Sequence, residues 1–333
     1  MKNWSLYIII IFLSVFCMTG NSFSQNGWVK QNSPLPSFLT DIFMINSQTG
    51  WITGFNATIL KTTNSGLNWV TQNSTLSKEY DLNYVYFVSD TVGWISGHQD
   101  NLYFYTMSTG PLLKTTNGGN TWFENYFNSI YRPKGIYFIN AQTGWMAVEP
   151  AIITGIIYVL KTTNGGSNWS IFQVGNTQKI TSVYFVSEQT GWIGGSNSSI
   201  FKTTDGGENW TLQFGISNGS VVDFSFTTPD NGWCARSYFY GTVYKTTNGG
   251  TNWSAISLNT IFTLDHVYFV DNSTGWVAGE YGNIYYTIDS GNSWSERPKF
   301  TKAYISRVRF INSTTGWIVG ESGTIFKTTT GGF

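Results

Sequence analysis

Residues 182–214 read SVYFVSEQTGWIGGSNSSIFKTTDGGENWTLQF, and this stretch decides the fold. It divides into four short segments rich in β-branched and aromatic residues, namely 182–186, 191–195, 199–204 and 209–214. Clusters of Gly, Asn, Asp and Ser, which favour turns, separate them. The apolar residues do not follow the spacing of an amphipathic helix. The stretch therefore predicts four consecutive β-strands.

Two tryptophan positions of this stretch recur along the chain. The first follows a Gly and occurs seven times, 41 to 51 residues apart: Trp51, Trp94, Trp145, Trp192, Trp233, Trp276 and Trp317. The second ends a segment similar to Lys-Thr-Thr-Asn-Gly-Gly: Trp69, Trp122, Trp169, Trp210, Trp253 and Trp294. Repeats of about 40–50 residues with fixed Gly and Trp are typical of propeller blades. We predict an all-β, seven-bladed β-propeller with four-stranded blades.

The seventh repeat reaches Phe333 without a fourth strand, and a segment near the start of the chain can supply it. Residues 27–33 (GWVKQNS) resemble residues 68–74 (NWVTQNS), the outer strand of the first repeat. Trp28 lies 23 residues before Trp51, which is also the distance from Trp294 to Trp317. We predict that residues 27–32 complete the C-terminal blade, so that the ring closes without a free sheet edge at this junction.

The segment before each second tryptophan contains a turn motif. Residues 287–294 (TIDSGNSW) match the Asp-box pattern Ser/Thr-x-Asp-x-Gly-x-Thr-Trp. An Asp or Asn side chain can accept backbone N–H groups of the following residues, and Gly supplies a positive φ. Because most copies have Asn, a metal or catalytic role that needs a negative charge is disfavoured. We predict a structural role for Asn64, Asn117, Asn164, Asp205, Asn248 and Asp289.

The Gly-Trp tryptophans have two interpretations. They can fill the gaps between radially packed sheets, or they can form a row of platforms on which sugar rings stack. Ligand sites rarely repeat seven times around a ring, which favours the core.

Composition and charge exclude several classes of partner. Charged residues are only 11% of the chain, and the formal net charge is zero. Binding to a phosphate backbone needs clustered Lys and Arg, and no such run occurs, so nucleic acid is not expected as a partner. His98 and His266 lie far apart without ligand-type spacing, and we expect neither a metal nor a cofactor.

The N-terminus has the pattern of an export signal. Lys2 precedes an apolar run at residues 6–18, which is too short to cross a bilayer as a helix. Small residues at 22 and 24 predict a signal peptide over residues 1–24, a mature chain of 25–333 beginning at Gln25, and no transmembrane segment after its removal. Lipidation at Cys17 is the alternative, although Phe16 is bulky where a small residue is usual. Both place the protein in the periplasm, at the cell surface or outside the cell.

Few residues suit an enzyme. A glycosidase needs two carboxylates. The candidates follow the second strands of three repeats at equivalent positions: Glu149, Glu280 and Glu321. No partner acid or base is evident for them, and the chain lacks the Arg-Ile/Val-Pro motif of sialidases. We therefore expect a protein that is not an enzyme.

Longer loops predict where a partner binds. Most repeats pass from Gly-Trp to Lys-Thr-Thr in 10 residues, whereas the second takes 20, the third 16 and the fifth 12. Exposed aromatic loops on a rigid scaffold often form interfaces. The alternative is that these residues extend strands and pack on one another. The candidate binding residues are Tyr103, Phe104, Tyr105, Tyr126, Tyr131, Arg132, Tyr238, Phe239 and Tyr240.

The repeat, about V-x-F-x₅-G-W-x-x-G-x₄-I-x-K-T-T-D/N-G-G-x-x-W, resembles photosystem II assembly/stability factor propellers. It also resembles the wider Asp-box (BNR) repeat proteins, which include sialidases, sortilin-type receptors and xyloglucan hydrolases. The first family implies a seven-bladed, chaperone-like binding scaffold with an Arg-rich patch. This chain departs from that pattern, because it has only five arginines: Arg132, Arg236, Arg297, Arg307 and Arg309.

The resemblance favours an exported, non-catalytic propeller for assembly or adhesion that binds a protein partner. A glycan-binding propeller is the first alternative, and a glycoside hydrolase of the Asp-box type is the second.

Overall fold

The protein is a ring of seven antiparallel sheets. The computed structural model describes residues 24–25, 27–99, 110–124, 131–150, 155–176, 179–215, 218–238 and 241–333. Two short strands, β1 (Ser24–Gln25) and β2 (Trp28–Lys30), precede the first blade. Each blade then contributes an inner first strand, a second and a third strand, and in six blades an outer fourth strand. The prediction of a seven-bladed propeller is confirmed.

The strands run in order through the blades. Blade one has β3 (Leu39–Met44), β4 (Gly50–Gly54), β5 (Thr58–Thr62) and β6 (Val70–Thr71). Blade two has β7 (Tyr80–Phe87), β8 (Gly93–Gln99), β9 (Leu112–Thr115) and β10 (Phe123–Glu124). Blade three has β11 (Tyr131–Phe138), β12 (Gly144–Pro150), β13 (Ile156–Thr162) and β14 (Ser170–Asn176). Blade four has β15 (Ile180–Phe185), β16 (Gly191–Gly195), β17 (Ile200–Thr203) and β18 (Thr211–Phe214).

The remaining blades follow the same plan. Blade five has β19 (Ser220–Phe226), β20 (Gly232–Ser237), β21 (Thr242–Thr246) and β22 (Ser254–Ser257). Blade six has β23 (Leu264–Phe269), β24 (Gly275–Gly279), β25 (Ile284–Thr287) and β26 (Ser295–Glu296). Blade seven has β27 (Ile305–Phe310), β28 (Gly316–Gly320) and β29 (Thr324–Thr328). Single-turn 3₁₀ helices lie at Glu280–Gly282 and Glu321–Gly323.

The N-terminal strand closes the ring, as predicted. β2 pairs with β29, with Trp28 opposite Thr328 and Lys30 opposite Phe326. The backbone N–H of Gln31 continues the ladder by donating to the carbonyl of Ile325 at 2.8 Å. β1 pairs in turn with β2, so that this blade has five strands rather than the predicted four.

Stacked aromatic rings hold neighbouring blades together. Each Gly-Trp side chain is at most 1% exposed, which confirms that these tryptophans form core. Six of them stack on the last Phe of the next blade's first strand, with ring centroids 3.5–3.8 Å apart: Trp51–Phe87, Trp94–Phe138, Trp145–Phe185, Trp192–Phe226, Trp233–Phe269 and Trp276–Phe310. Trp317 completes the series by packing against Met44 of blade one.

The Asp-box side chains organise their own turns. In blade one, the Thr62 hydroxyl donates to Asn64 Oδ1 at 3.0 Å and accepts the N–H of Gly66 at 2.9 Å. Asn64 Oδ1 also accepts the N–H of Asn68 at 2.9 Å. The same bonds recur at Asn117, Asn164, Asp205, Asn248 and Asp289.

Each box is also bonded to the preceding blade. The indole N–H of Trp51 and the ammonium of Lys61 both donate to the carbonyl of Gly118, at 3.1 and 2.6 Å. Trp94 and Lys114 reach Gly165 in the same way. The box therefore caps a hairpin and links two blades, using carbonyl oxygens that a positive-φ turn directs outward.

Every first strand contains a β-bulge at an equivalent place. The pairing with the second strand skips one residue in each of the seven blades: Thr40, Asn83, Lys134, Thr181, Val222, Asp265 and Ser306. A bulge bends a strand and redirects the side chains beside it. Here it brings the following residues of each inner strand to the axis of the ring.

Candidate functional site

The inner strands of all seven blades surround a central channel. Two ends of the ring differ. We call the end with the connections between second and third strands, and between blades, the loop face. The opposite end, with the Asp-boxes, is the box face. Two cavities occupy the channel, about 440 Å³ towards the loop face and about 590 Å³ towards the box face, and Tyr84 and Arg307 line both.

A buried ion cluster separates the two cavities. Arg307 donates from Nε to Asp41 Oδ1 at 2.8 Å, and its Nη1 lies 3.1 Å from Asp223 Oδ2. His266 Nδ1 lies 3.2 Å from the same Nη1. Burial disfavours the charge on Asp223, but the Arg307 guanidinium, the His266 ring and the Val267 N–H together outweigh it and lower the pKa of that carboxyl below its ordinary value. Burial also opposes the charge on Arg307, yet Asp41 and Asp223 raise its pKa. Asp223 and Arg307 therefore stay charged, and the cluster joins blades one, five, six and seven around the axis.

Backbone N–H groups donate further hydrogen bonds to Asp41 and Asp223. Asp41 accepts the N–H of Ile42 at 2.9 Å and the N–H of Val85, from the next blade, at 3.0 Å. Asp223 accepts the N–H of Val267, again from the next blade, at 3.3 Å. A buried carboxylate with such partners is satisfied, so these two acids serve the structure rather than acid–base chemistry.

The loop-face cavity has an aromatic rim. Phe38 stacks on Phe55 with ring centroids 4.9 Å apart, and Tyr304 lies 6.0 Å from Phe38. The Tyr304 hydroxyl donates to Asp265 Oδ2 at 2.7 Å. All three rings line the cavity and are partly exposed.

The box-face cavity is lined by a ring of seven side chains, one from each first strand. They occupy the central position of the V-x-F motif: Phe43, Tyr86, Tyr137, Tyr184, Ser225, Tyr268 and Arg309. Burial raises the pKa of Tyr86 to about 12 and raises the pKa of Tyr137 and Tyr184 above the ordinary value. These hydroxyls are therefore neutral hydrogen-bonding groups at physiological pH.

Most of the predicted aromatic binding residues fall outside the described residues: Tyr103, Phe104, Tyr105, Tyr126, Phe239 and Tyr240. Of the others, Tyr131 is half-buried and packs edge-on against Tyr158 with centroids 5.7 Å apart. Arg132 lies opposite Glu149 in the β11–β12 ladder. Tyr238 is 37% exposed, with the Arg236 guanidinium 4.7 Å from its ring centroid. Tyr131 thus belongs partly to the core, whereas Tyr238 faces solvent on the loop face.

The three candidate glycosidase acids each accept a backbone N–H at the start of a first strand. Glu280 bonds Thr263 at 3.0 Å, Glu321 bonds Tyr304 at 3.4 Å, and Glu149 bonds Ile180 at 3.2 Å. Glu149 also lies 3.5 Å from Lys134 Nζ. These contacts give each acid a structural role.

Sequence reasoning missed the channel, including Arg307, Arg309, Asp41 and Asp223. A signal was available, because Arg307 and Arg309 share one face of a strand, and the residues at the same two positions of the other repeats are Tyr, Ser, Asp, His, Phe or Gly. Within the described parts of the chain, no group of three or more His, Cys, Asp and Glu could hold a metal ion. No helix in those parts is long and apolar enough to cross a bilayer.

Comparison with known proteins identifies the repeat. The model of the family "Photosynthesis system II assembly factor YCF48" matches residues 21–122, 167–262 and 259–329, which is more than half of the chain. The photosystem II assembly lipoprotein Ycf48 of Trichormus variabilis is 33% identical over 82 residues. That match covers 23% of this chain and 24% of the relative.

Solved structures share the fold. A structure of YCF48 bound to D1 peptide superposes with a TM-score of 0.73 at 20% identity, over 93% of this chain and 97% of that one. YCF48 from Cyanidioschyzon merolae gives 0.71 at 19% identity, over 91% and 98%. A GH74 enzyme from Niastella koreensis gives 0.69 at 17% identity, and this chain covers 53% of it. At these identities the similarity concerns the fold.

Proposed function

Since the chain belongs to the photosynthesis system II assembly factor YCF48 family, we propose that it is an exported, non-catalytic propeller that binds a segment of a protein partner on its loop face. The residues of this chain that contact the partner are proposed to include those in the aromatic loops of blades two, three and five. Among the described residues, Tyr238 and the rim of Phe38, Phe55 and Tyr304 belong to this surface.

The observation that carries the proposal is the concentration of solvent-accessible aromatic side chains around one mouth of the channel. Phe38 and Phe55 form a stacked pair beside the 440 Å³ cavity, next to Tyr304. Aromatic residues are enriched at protein interfaces because they bury large areas at a small entropic cost. A related structure, YCF48, is bound to D1 peptide, which supports a peptide segment as the element recognised here.

The family also bears on catalysis. Its members are assembly factors, in agreement with the prediction that the chain is not an enzyme. The candidate acids bond backbone groups. Neither observation supports a glycan-binding propeller or a glycoside hydrolase.

Export is part of the proposal. The sequence favours removal of residues 1–24, and the relative from Trichormus variabilis is described as a lipoprotein. Mass spectrometry of the N-terminus in the native host tests this. An N-terminus at Gln25, or a lipid-modified Cys17, supports export by one of the two routes. An intact N-terminus in the cytoplasm refutes it.

The binding surface is tested by cross-linked capture from the native envelope. We compare the wild type with a variant carrying Tyr103→Ala, Tyr105→Ala and Tyr238→Ala, which leaves the half-buried Tyr131 in place. Ile288→Ala is the matched control, because Ile288 is 65% exposed and lies in an Asp-box on the box face. We expect a protein that the wild type and the control capture saturably and the loop variant does not. Equal capture by all three, or capture of glycan alone, contradicts the proposal.

A further inference from the structure

The ring of V-x-F side chains forms a continuous aromatic wall on one side of the box-face cavity. The rings of Phe43, Tyr86, Tyr137 and Tyr184 follow one another with centroids 5.1, 5.0 and 5.1 Å apart. Their interplanar angles are 48–52°, so that each ring presents part of its face to the cavity. Such a wall favours contact with a flat apolar group.

Arg309 is the one charged member of this ring. Its guanidinium lies 4.7 Å from the centroid of Phe43 and 5.0 Å from that of Tyr268. Aromatic faces stabilise the cation but do not accept its N–H groups, of which a guanidinium has five in its plane. Among the described residues, no hydrogen-bond acceptor or carboxylate pairs with Arg309, whereas Arg307 on the same strand is paired with two acids. The donors of Arg309 are therefore free for a ligand in the cavity.

Ser225 leaves a gap in the wall. It takes the place that Tyr184 and Tyr268 occupy in the neighbouring blades, and its hydroxyl accepts the N–H of Phe269 at 2.9 Å. The smaller Ser225 side chain thus leaves a gap between the two tyrosines, bounded on one side by Tyr184, whose hydroxyl donates to the carbonyl of Phe226 at 3.1 Å. The cavity of about 590 Å³ falls within the range of small-molecule sites. It opens towards the turn residues Thr228 and Asn272 on the box face.

We propose that the box-face cavity binds a small organic acid with a planar apolar body. The carboxylate pairs with the guanidinium of Arg309, and the body occupies the gap at Ser225 between Tyr184 and Tyr268. A carboxylate fits a single arginine because two parallel N–H···O bonds match one negative charge. A phosphate dianion needs more positive charge than this cavity provides. The site is independent of the loop-face partner, since it lies on the opposite side of the ion cluster.

The first test is isothermal titration calorimetry with phenylacetate, its neutral isostere phenylacetamide, and inorganic phosphate. We expect saturable binding of phenylacetate and binding of the amide at least about tenfold weaker, because a hydrogen bond between two charged groups is stronger than one between a charged and a neutral group. Equal affinities for acid and amide, tighter binding of phosphate, or no saturable phenylacetate binding up to about 10 mM overturn the proposal.

Two variants locate the site. Arg309→Gln removes the charge, and Ser225→Tyr fills the gap with the side chain that four other blades carry. Both are expected to abolish phenylacetate binding. The matched control is Arg297→Gln, because Arg297 also stacks on aromatic rings, Tyr286 at 4.0 Å and Phe333 at 3.8 Å, but lies outside the channel. Unchanged binding in Ser225→Tyr, whose melting temperature reports its folding, overturns the proposal even if Arg309→Gln does not fold.

Discussion

Trp28 packs edge-on against Phe310, with ring centroids 5.9 Å apart and an interplanar angle of 79°. The same Phe310 stacks face to face on Trp276 from blade six. Internal blades repeat this arrangement: Phe87 lies between Trp51 and Trp122, and Phe185 between Trp145 and Trp210. Trp28 therefore holds the position of the second tryptophan in blade seven, supplied from the opposite end of the chain.

Removing Trp28 should open the ring. Trp28 is 1% exposed, and loss of a buried Trp side chain costs about 3–5 kcal/mol of unfolding free energy. We expect Trp28→Ala to increase hydrogen exchange of the β29 amides, because β2 no longer protects them. Trp210→Ala is the control, since its strand is held by a covalent hairpin within blade four. Unchanged β29 exchange in Trp28→Ala would falsify this account of closure.

In six of the seven Gly-Trp pairs the Gly lies under a Phe ring, and in the first pair Gly50 lies against Met44. A Cβ atom at Gly191 would lie 2.6 Å from ring atoms of Phe185, which stacks on Trp145 with centroids 3.6 Å apart. We expect Gly191→Ala to displace Phe185 and to cost about 1–3 kcal/mol in urea unfolding. Gly215→Ala should cost little, because its nearest neighbours would be 3.9 Å away. Equal stability of the two variants would refute the steric argument.

Arg307 neutralises two carboxylates in the channel. Arg307→Met leaves Asp41 and Asp223 buried without their cation, and we expect a loss of about 3–5 kcal/mol at pH 7. In the wild type the pKa of Asp223 is below its ordinary 3.8, so its contribution is present above that pH and disappears below it. In the variant the loss of the Arg307 guanidinium moves the pKa of Asp223 upward, so protonation of this carboxyl relieves the penalty as the pH falls.

The difference in stability between wild type and Arg307→Met should therefore narrow from pH 7 to pH 4, as measured by urea unfolding. Adding Asp223→Asn to the variant should recover part of the loss at pH 7. A difference that does not depend on pH would show that Arg307 acts through packing instead.

The two Asp-containing boxes should respond to acid. Hydrogen bonds from the backbone and side chain of Asn209 lower the pKa of Asp205 to about 2, and those from Ser293 lower the pKa of Asp289 to about 2. Their stabilising contribution is complete above the ordinary value of 3.8 and is lost as the pH falls towards 2. The double variant Asp205→Asn, Asp289→Asn should unfold at nearly the wild-type temperature at pH 7 and lose less stability between pH 4 and pH 2.

The other boxes provide the reverse experiment. Asn248→Asp introduces a carboxylate into a turn with the same hydrogen bonds, so its melting temperature should become more sensitive to acid. If neither the Asp→Asn nor the Asn→Asp substitution alters the acid dependence of the melting temperature, these carboxylates do not stabilise the protein through the hydrogen bonds of the turn.

The fold could be predicted from the sequence because its determinants repeat. Gly191 is required under Phe185, and Trp192 is required between blades. The Asp-box turns need Gly and an Asp or Asn residue. The same residue types therefore recur at the same positions of each repeat. Even the closing strand could be recognised, since Trp28 obeys the same spacing. The fifth strand, β1, could not, because two residues paired at an edge carry no periodic signal.

The channel could not be predicted in the same way, because its chemistry lies where the repeats differ. The central position of the V-x-F motif is occupied by different residue types, for example Tyr86, Ser225 and Arg309. A repeat pattern contains only the positions that stay the same, so it leaves this position out. The bulges are hidden for a different reason: they are set by pairing register, which depends on contacts between strands. The prediction that loops of unusual length carry the partner site stays a prediction.

The pairing of β2 with β29 fixes the order in which the molecule can be completed. β2 leaves the ribosome before any blade, yet its partner is made after all of them. Until then β2 has no blade to join, and the first six blades can form only an open arc. The ring therefore closes only after the third strand of blade seven has been made.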